Sequence, residues 1–150
     1  MPKKMDRSLH LIVITLLLAF TVMAFQSELT TVQPKTMPLV PMMRVLLSDM
    51  YTIDEGIYTE DFAVIEKGGK SIAEHPVMTE EDKKLVKNTL GEEMQRFISF
   101  DMVVHRHADS IAQAAQQKKM NDILHHYKIV QQGCVDCHTA FRKEISKARK

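Results

Sequence analysis

From residue 38 onward, apolar side chains recur every three or four positions, the spacing of one face of an α-helix. Met43, Leu46, Met50, Ile53 and Ile57 form the first such stripe, a pattern suited to shallow-angle packing against neighbouring helices. Proline is tolerated only in a first turn, so Pro41 predicts a start within 39–41, and the helix runs to about Tyr58. A second stripe, Phe62, Ile65, Gly69 and Ile72, follows Thr59, a candidate N-cap with Glu60 and Asp61 in the first turn. Gly68 and Gly69 weaken this helix by roughly 1 kcal/mol each relative to alanine. Either a neighbour or cofactor approaches closely at Gly69, or the helix is locally weak. His75-Pro76 ends it, because the residue before proline avoids the α region.

Thr79-Glu80-Glu81-Asp82 reads as a capping-box-like start to a short helix ending near Leu90, with a bend at Gly91. Beyond it, Phe97, Val104, Ala108, Ile111 and Ala115 share a face that Asp101 interrupts. Ala108, Ala112, Ala114 and Ala115 are small enough to let something bulky sit close. The last pattern starts at Asn121, a candidate N-cap followed by Asp122. Ile123, Tyr127, Val130, Cys134, His138, Phe141 and Ile145 lie along its predicted inner side. There is almost no strand signal, and no internal repeat. Four amphipathic helices with short connections predict an all-α fold, an antiparallel four-helix bundle, over residues 39–150.

The chain ahead of the bundle is of another kind. Lys3, Lys4 and Arg7 precede a run, Leu11 to Phe25, that is apolar apart from Thr15 and Thr21. A basic head and a short apolar run are the form of a secretory signal peptide, here 1–24 with cleavage after Ala24. The run is short for a membrane span of about 20 residues. An uncleaved anchor, with membrane association, is the alternative. No cysteine stands where a bacterial lipid anchor would need one. Residues 25–38, polar with two prolines, read as a leader into the domain. The expected location is the periplasm, an oxidising compartment.

Losing Lys3, Lys4, Arg7 and Asp6 with the signal takes the formal charge from +1 to about −1. A near-neutral chain argues against nucleic acid as a general partner. Arg142, Lys143, Lys147, Arg149 and Lys150 crowd the C-terminus against Glu144. They fit a solvated helix end, where cations suit the dipole, or a docking patch.

The only two cysteines lie in Gly133-Cys134-Val135-Asp136-Cys137-His138. On a helix, residues i, i+3 and i+4 share a face, so two thiols and an imidazole are expected on one side. That arrangement suits covalent haem: each cysteine forms a thioether with a vinyl group, and His138 is the proximal iron ligand. A dithiol oxidoreductase would use the same pair, but its usual host is a βαβ domain. Zinc wants about four N or S ligands. His105 and His107, or His125 and His126, could be proposed to complete such a site, but none has a zinc-finger spacing to the cysteines.

A signal peptide, four amphipathic helices and Cys-x-x-Cys-His in the last of them resemble class II cytochromes c, the cytochrome c-prime family. His138-Thr139-Ala140-Phe141-Arg142-Lys143 and the segment closing at His75-Pro76 are similar to that family's patterns, and the resemblance covers roughly residues 38–147. It implies one haem c and iron, with either of two functions. In the low-spin, six-coordinate branch a first-helix methionine completes the iron's coordination, and the protein carries single electrons and is not an enzyme. By resemblance Met43 holds that position, with Met50 seven residues on. Met42 is the near rival, about 100° off the stripe. The other branch is five-coordinate and binds gases such as nitric oxide or carbon monoxide. His105 and His107 are further candidates for the sixth position. Arg142 is expected near the haem, where it would pair with a propionate. Tyr127 and Phe141 would pack on the porphyrin or the core. Redox proteins are the implied partners, and a homodimer through the first two helices is common in the family.

Overall fold

The computed structural model describes residues 35–149. The expected signal peptide and most of the leader lie outside the described residues. The elements run β1 (Thr36–Met37), α1 (Leu39–Thr59), α2 (Phe62–Ala73), β2 (Val77–Met78), α3 (Glu80–Leu90), a 3₁₀ turn (Gly91–Glu93), α4 (Met94–Gln116), α5 (Met120–Cys137), a π-helical turn (His138–Arg142) and α6 (Lys143–Ala148). Four long segments, α1, α2, α4 and α5 with its extension, make the expected all-α bundle.

Neighbours in this order run antiparallel. Gly69 of α2 lies beside Ala108 and Ala112 of α4, and Glu66, one turn earlier, meets Gln116, one turn later. Tyr127 of α5 donates to Asp54 of α1. Further along α5, Cys137 packs in the same cluster as Met43, earlier on α1. The links are short because the helix ends close on themselves. Glu60 adopts a left-handed backbone (φ 55°) after α1. Lys118, also left-handed, follows α4, with Lys118 N–H bonding Ala115 O and Lys119 N–H bonding Ala114 O in a Schellman closure.

Two predicted caps are corrected. Thr59 is the last residue of α1 and donates its hydroxyl to Glu55 O. The cap of α2 is Asp61, whose carboxylate accepts from the Ala63 and Val64 amides. A carboxylate satisfies two orphan amides at once and also suits the positive end of the helix dipole. Asn121 lies inside α5, which is preceded by Lys119 without a side-chain cap bond. The Schellman closure of α4 leads directly into α5 and leaves Asn121 no capping position. Thr79 caps α3 as expected, accepting from the Asp82 amide.

The weak strand signal also needs amending. Thr36 and Met37, the end of the expected leader, pair in parallel with Val77 and Met78. This staple binds the entry of α1 to the segment after α2. It also lengthens the ordered domain at its start.

The interior divides into two apolar clusters. Ile53, Ile65, Ile72, Val104, Ala108, Ile111, Ala114, Ala115, Ile123, Tyr127 and Val130 form the bundle core. Leu39, Met42, Val86, Leu90, Phe141 and Ile145 form a second core, where α3 covers the start of α1 and the end of the chain. The small residues of α4 admit the α2 backbone: a Cβ on Gly69 would lie 3.0 Å from both Ala108 O and Ala112 N. Close approach of a neighbouring helix therefore accounts for Gly69. Gly91 has φ +51°, which a glycine adopts at low cost where α3 turns into α4. No helix among the described residues is long and apolar enough to cross a membrane.

Candidate functional site

The Cys-x-x-Cys-His segment sits where the two cores meet. Val130 is buried in the first core and Phe141 in the second. Cys134, between them, packs against the first core, while Cys137 packs against the second. Both thiols are free and partly buried. Burial pushes both upward from the usual thiol range; at Cys137, with the Asp101 carboxylate and Cys134 adding to it, the result is about 11.

At His138 the helix widens into a π turn that runs to Arg142. Such turns are rare and occur often at functional sites. The geometry differs here from the expected stripe. His138 is exposed, and the inner positions are Gly133, Cys134, Cys137, Ala140 and Phe141. Uniform helical spacing places His138 beneath Cys134, but burial follows the heptad-like step from Cys134 to Cys137 to Phe141. Burial and then the nearby Arg142 charge lower the imidazole's basicity, so it is neutral at pH 7, the form in which histidine ligates a metal.

The second core, against which Cys137 packs, is not fully closed. Met37, Met43, Leu46, Met94, Phe97, Phe100 and Ala140 pack there and remain partly accessible. Phe97 and Phe100 meet Phe141 edge-on, with ring centres 5.9 and 6.1 Å away. Arg96 lies 5.7 Å from the Phe100 and Phe141 ring centres. Met43 is half-buried on this face, whereas Met42, placed off the stripe by periodicity, is buried with only 4% of its surface exposed. The start of α1 packs against α3 and Phe141 as well as the bundle, which turns Met42 inward. Arg142 is exposed at the end of the π turn.

These residues fit covalent haem by the chemistry of the donor set. Two unpaired thiols share one helix face, an imidazole follows, and the partly accessible Met43 thioether packs on the same core as Cys137. The same facts disfavour the rival readings of the cysteines. A reactive dithiol needs a depressed thiol pKa, and both are raised. Among the described residues, neither cysteine belongs to a cluster of three metal-ligating side chains.

The other histidines are also placed. His107 and His126 bring their Nδ1 atoms to 2.9 Å, with His125 edge-on to His126. His105 directs Nδ1 to Ala73 O at 2.6 Å. It stacks on His75, and both approach Asp101. The sequence shows Asp101 and His105 one turn apart, but His75 joins them only through the packing of α2 on α4. Tyr127 is buried and donates to Asp54 Oδ1 at 2.6 Å, so it belongs to the bundle core. Comparison with known proteins finds no match for this chain among family models, curated proteins or solved structures.

Proposed function

We propose that this chain is an exported, periplasmic c-type cytochrome that carries single electrons. Cys134 and Cys137 would hold one haem c through thioethers, His138 would be the proximal iron ligand and Met43 the distal one. The observation that carries this reading is the position of the motif. Two free thiols lie one turn apart on a helix face, Cys137 packs on the same core as Met43, and a histidine follows at the start of a π turn.

The bound haem supplies the one-electron redox couple; the chain's part is to hold it, exclude water from one side and leave an edge accessible. Phe97, Phe100, Phe141 and Leu46, which pack together in the second core, would supply the apolar side. With His138 and Met43 both holding the iron, the methionine thioether would favour the reduced state relative to a second imidazole. Arg142, exposed and one turn past His138, would pair with a propionate. No substrate bond is broken, so the proposed role is not enzymatic.

Redox proteins are the proposed partners. The outer face of α1 carries exposed Val40, Leu47, Tyr51 and Tyr58, an apolar seam at helical spacing that supports a homodimer through this helix. Export rests on residues 1–24 alone.

The test is expression in cells with a working cytochrome c maturation system. Expected are one haem resistant to extraction by acid and organic solvent, and a low-spin spectrum in both oxidation states. Protein without haem, but with a reversible Cys134–Cys137 disulfide, would overturn the reading in favour of a dithiol oxidoreductase. A high-spin ferrous spectrum with ready carbon monoxide binding would assign the protein to the gas-binding class.

A further inference from the structure

His75, Asp101 and His105 form a second cluster that shares no residue with the Cys-x-x-Cys-His motif, although the Asp101 carboxylate is near enough to Cys137 to raise its thiol pKa. His75 lies just past the end of α2, and Asp101 and His105 are one turn apart on α4. Each imidazole places Nδ1 against a backbone carbonyl: His75 at 2.8 Å from Pro76 O, His105 at 2.6 Å from Ala73 O. A carbonyl can only accept, so both Nδ1 atoms carry the proton. In the neutral rings, each Nε2 then presents a lone pair.

Those lone pairs converge on a carboxylate. His75 Nε2 is 3.4 Å from Asp101 Oδ1, and His105 Nε2 is 3.4 Å from Asp101 Oδ2. Acceptors facing acceptors need a positive charge between them. Protons serve poorly: a charge-assisted N–H···O bond closes to about 2.7–2.9 Å. Two protonated rings would also stack with centres 4.3 Å apart and repel. The His75 side chain is 7% exposed, and its Nε2 has no hydrogen-bond partner. A buried, unpartnered nitrogen is thus aimed into the cluster.

We propose that His75, Asp101 and His105 bind a divalent first-row transition ion of the Zn²⁺ type. Metal–ligand bonds of about 2.0–2.1 Å in a tetrahedral shell put neighbouring ligand atoms about 3.4 Å apart, the separation between each Nε2 and its own Asp101 oxygen, and all three side chains bring a ligand atom within 4.8 Å of the others. The carbonyls behind both Nδ1 atoms are the usual outer support of metal-bound histidine, fixing tautomer and ring orientation. Asp101 is 46% and His105 27% exposed, so the ion would enter from solvent and keep water on its outer side. Binding would fasten the end of α2 to the middle of α4.

The test is Zn²⁺ and Co²⁺ binding to the purified full chain, followed by equilibrium dialysis, melting temperature and Co²⁺ absorption. Expected are one equivalent bound, a melting temperature that rises with metal, and a Co²⁺ spectrum without thiolate charge-transfer bands. Asp101→Asn and His105→Ala should each weaken binding by about tenfold or more, with circular dichroism of the metal-free variants confirming their fold. Absence of binding, unchanged affinity in the Asp101→Asn/His105→Ala double variant, or thiolate bands in the Co²⁺ spectrum would each overturn the proposal. Haem content is scored separately, so the outcome does not depend on the cytochrome reading.

Discussion

Asp82 and Arg149, 67 residues apart, meet in a charge-assisted hydrogen bond that ties the end of the chain to α3. Asp82 is the one buried charged residue among those described, and it also accepts from the Leu39 amide at 2.6 Å. One carboxylate thus holds the start of α1, the cap of α3 and the C-terminal turn. Arg149 of the basic cluster is accordingly a structural partner. Asp82→Ala should cost about 1–3 kcal/mol by leaving the buried Leu39 amide unpaired. Arg149→Ala should cost less, about 0–1 kcal/mol, because its side chain is partly in water. Thermal melts of the two variants check the order.

On the proposed cytochrome reading, Met42 and Met43 divide between packing and iron ligation. Met42 is buried in the second core, so Met42→Ala should lower stability by about 2–5 kcal/mol and leave the haem spectrum largely intact. Met43→Ala, at a half-buried site, should cost less stability but abolish the low-spin methionine-ligated spectrum. A Met43→Ala protein that kept that spectrum would remove Met43 from the iron.

Gly69→Ala should destabilise the bundle by roughly 1–3 kcal/mol, since the added methyl meets the α4 backbone rather than a flexible side chain. Denaturant unfolding of the variant gives the number. An unchanged midpoint would show that α2 and α4 can part without cost.

Tyr127→Phe keeps the ring in the core and removes the donor to Asp54. A hydrogen bond to a charged group contributes about 1.5–3 kcal/mol, and partial exposure of the pair favours the lower end. Chemical denaturation should show a loss near that size, while Asp54→Asn, which keeps an acceptor, should lose less.

In haem-free protein, the Cys137 thiol titrates at about 11, raised chiefly by burial. Its alkylation should therefore be slow at neutral pH and climb only at strongly alkaline pH. The unfolded chain should show the ordinary thiol profile near about 8.5. Because the folded value is the higher one, this contribution to stability is complete below the unfolded value and lost as pH rises through the folded one. Iodoacetamide rates in a Cys134→Ser background measure it. An apparent value below the ordinary thiol range would instead mark an activated redox thiol.

Helix periodicity made the bundle legible because it records which side of each helix is buried. Ile53, Ile65, Ile72, Ile111 and Ile123 all lie on predicted stripes and are fully buried. The pattern failed where a helix serves more than one neighbour. Met42 and Leu39 face the second core, built by α3, which a stripe read from α1 alone does not contain. The Cys-x-x-Cys-His motif is contiguous and so was visible at once. The His75–Asp101–His105 cluster depends on a tertiary contact between α2 and α4, and only the i, i+4 relation of Asp101 and His105 was open to reading. The π turn left its trace in the step from Phe141 to Ile145, one residue longer than the heptad rhythm before it.

That longer step gives the last helix a change of phase. Met120–Cys137 directs its apolar side at the bundle, and Lys143–Ala148 directs its own at α3. A single continuous rod could follow only one of these partners. Removing one residue from the wide turn would restore uniform winding and rotate everything downstream by about 100°, carrying Ile145 out of its core. The two cysteines lie just before this joint and the histidine at its first residue. The motif therefore occupies the one place where the helix's facing is decided locally, and a group held there would reach both cores of the protein.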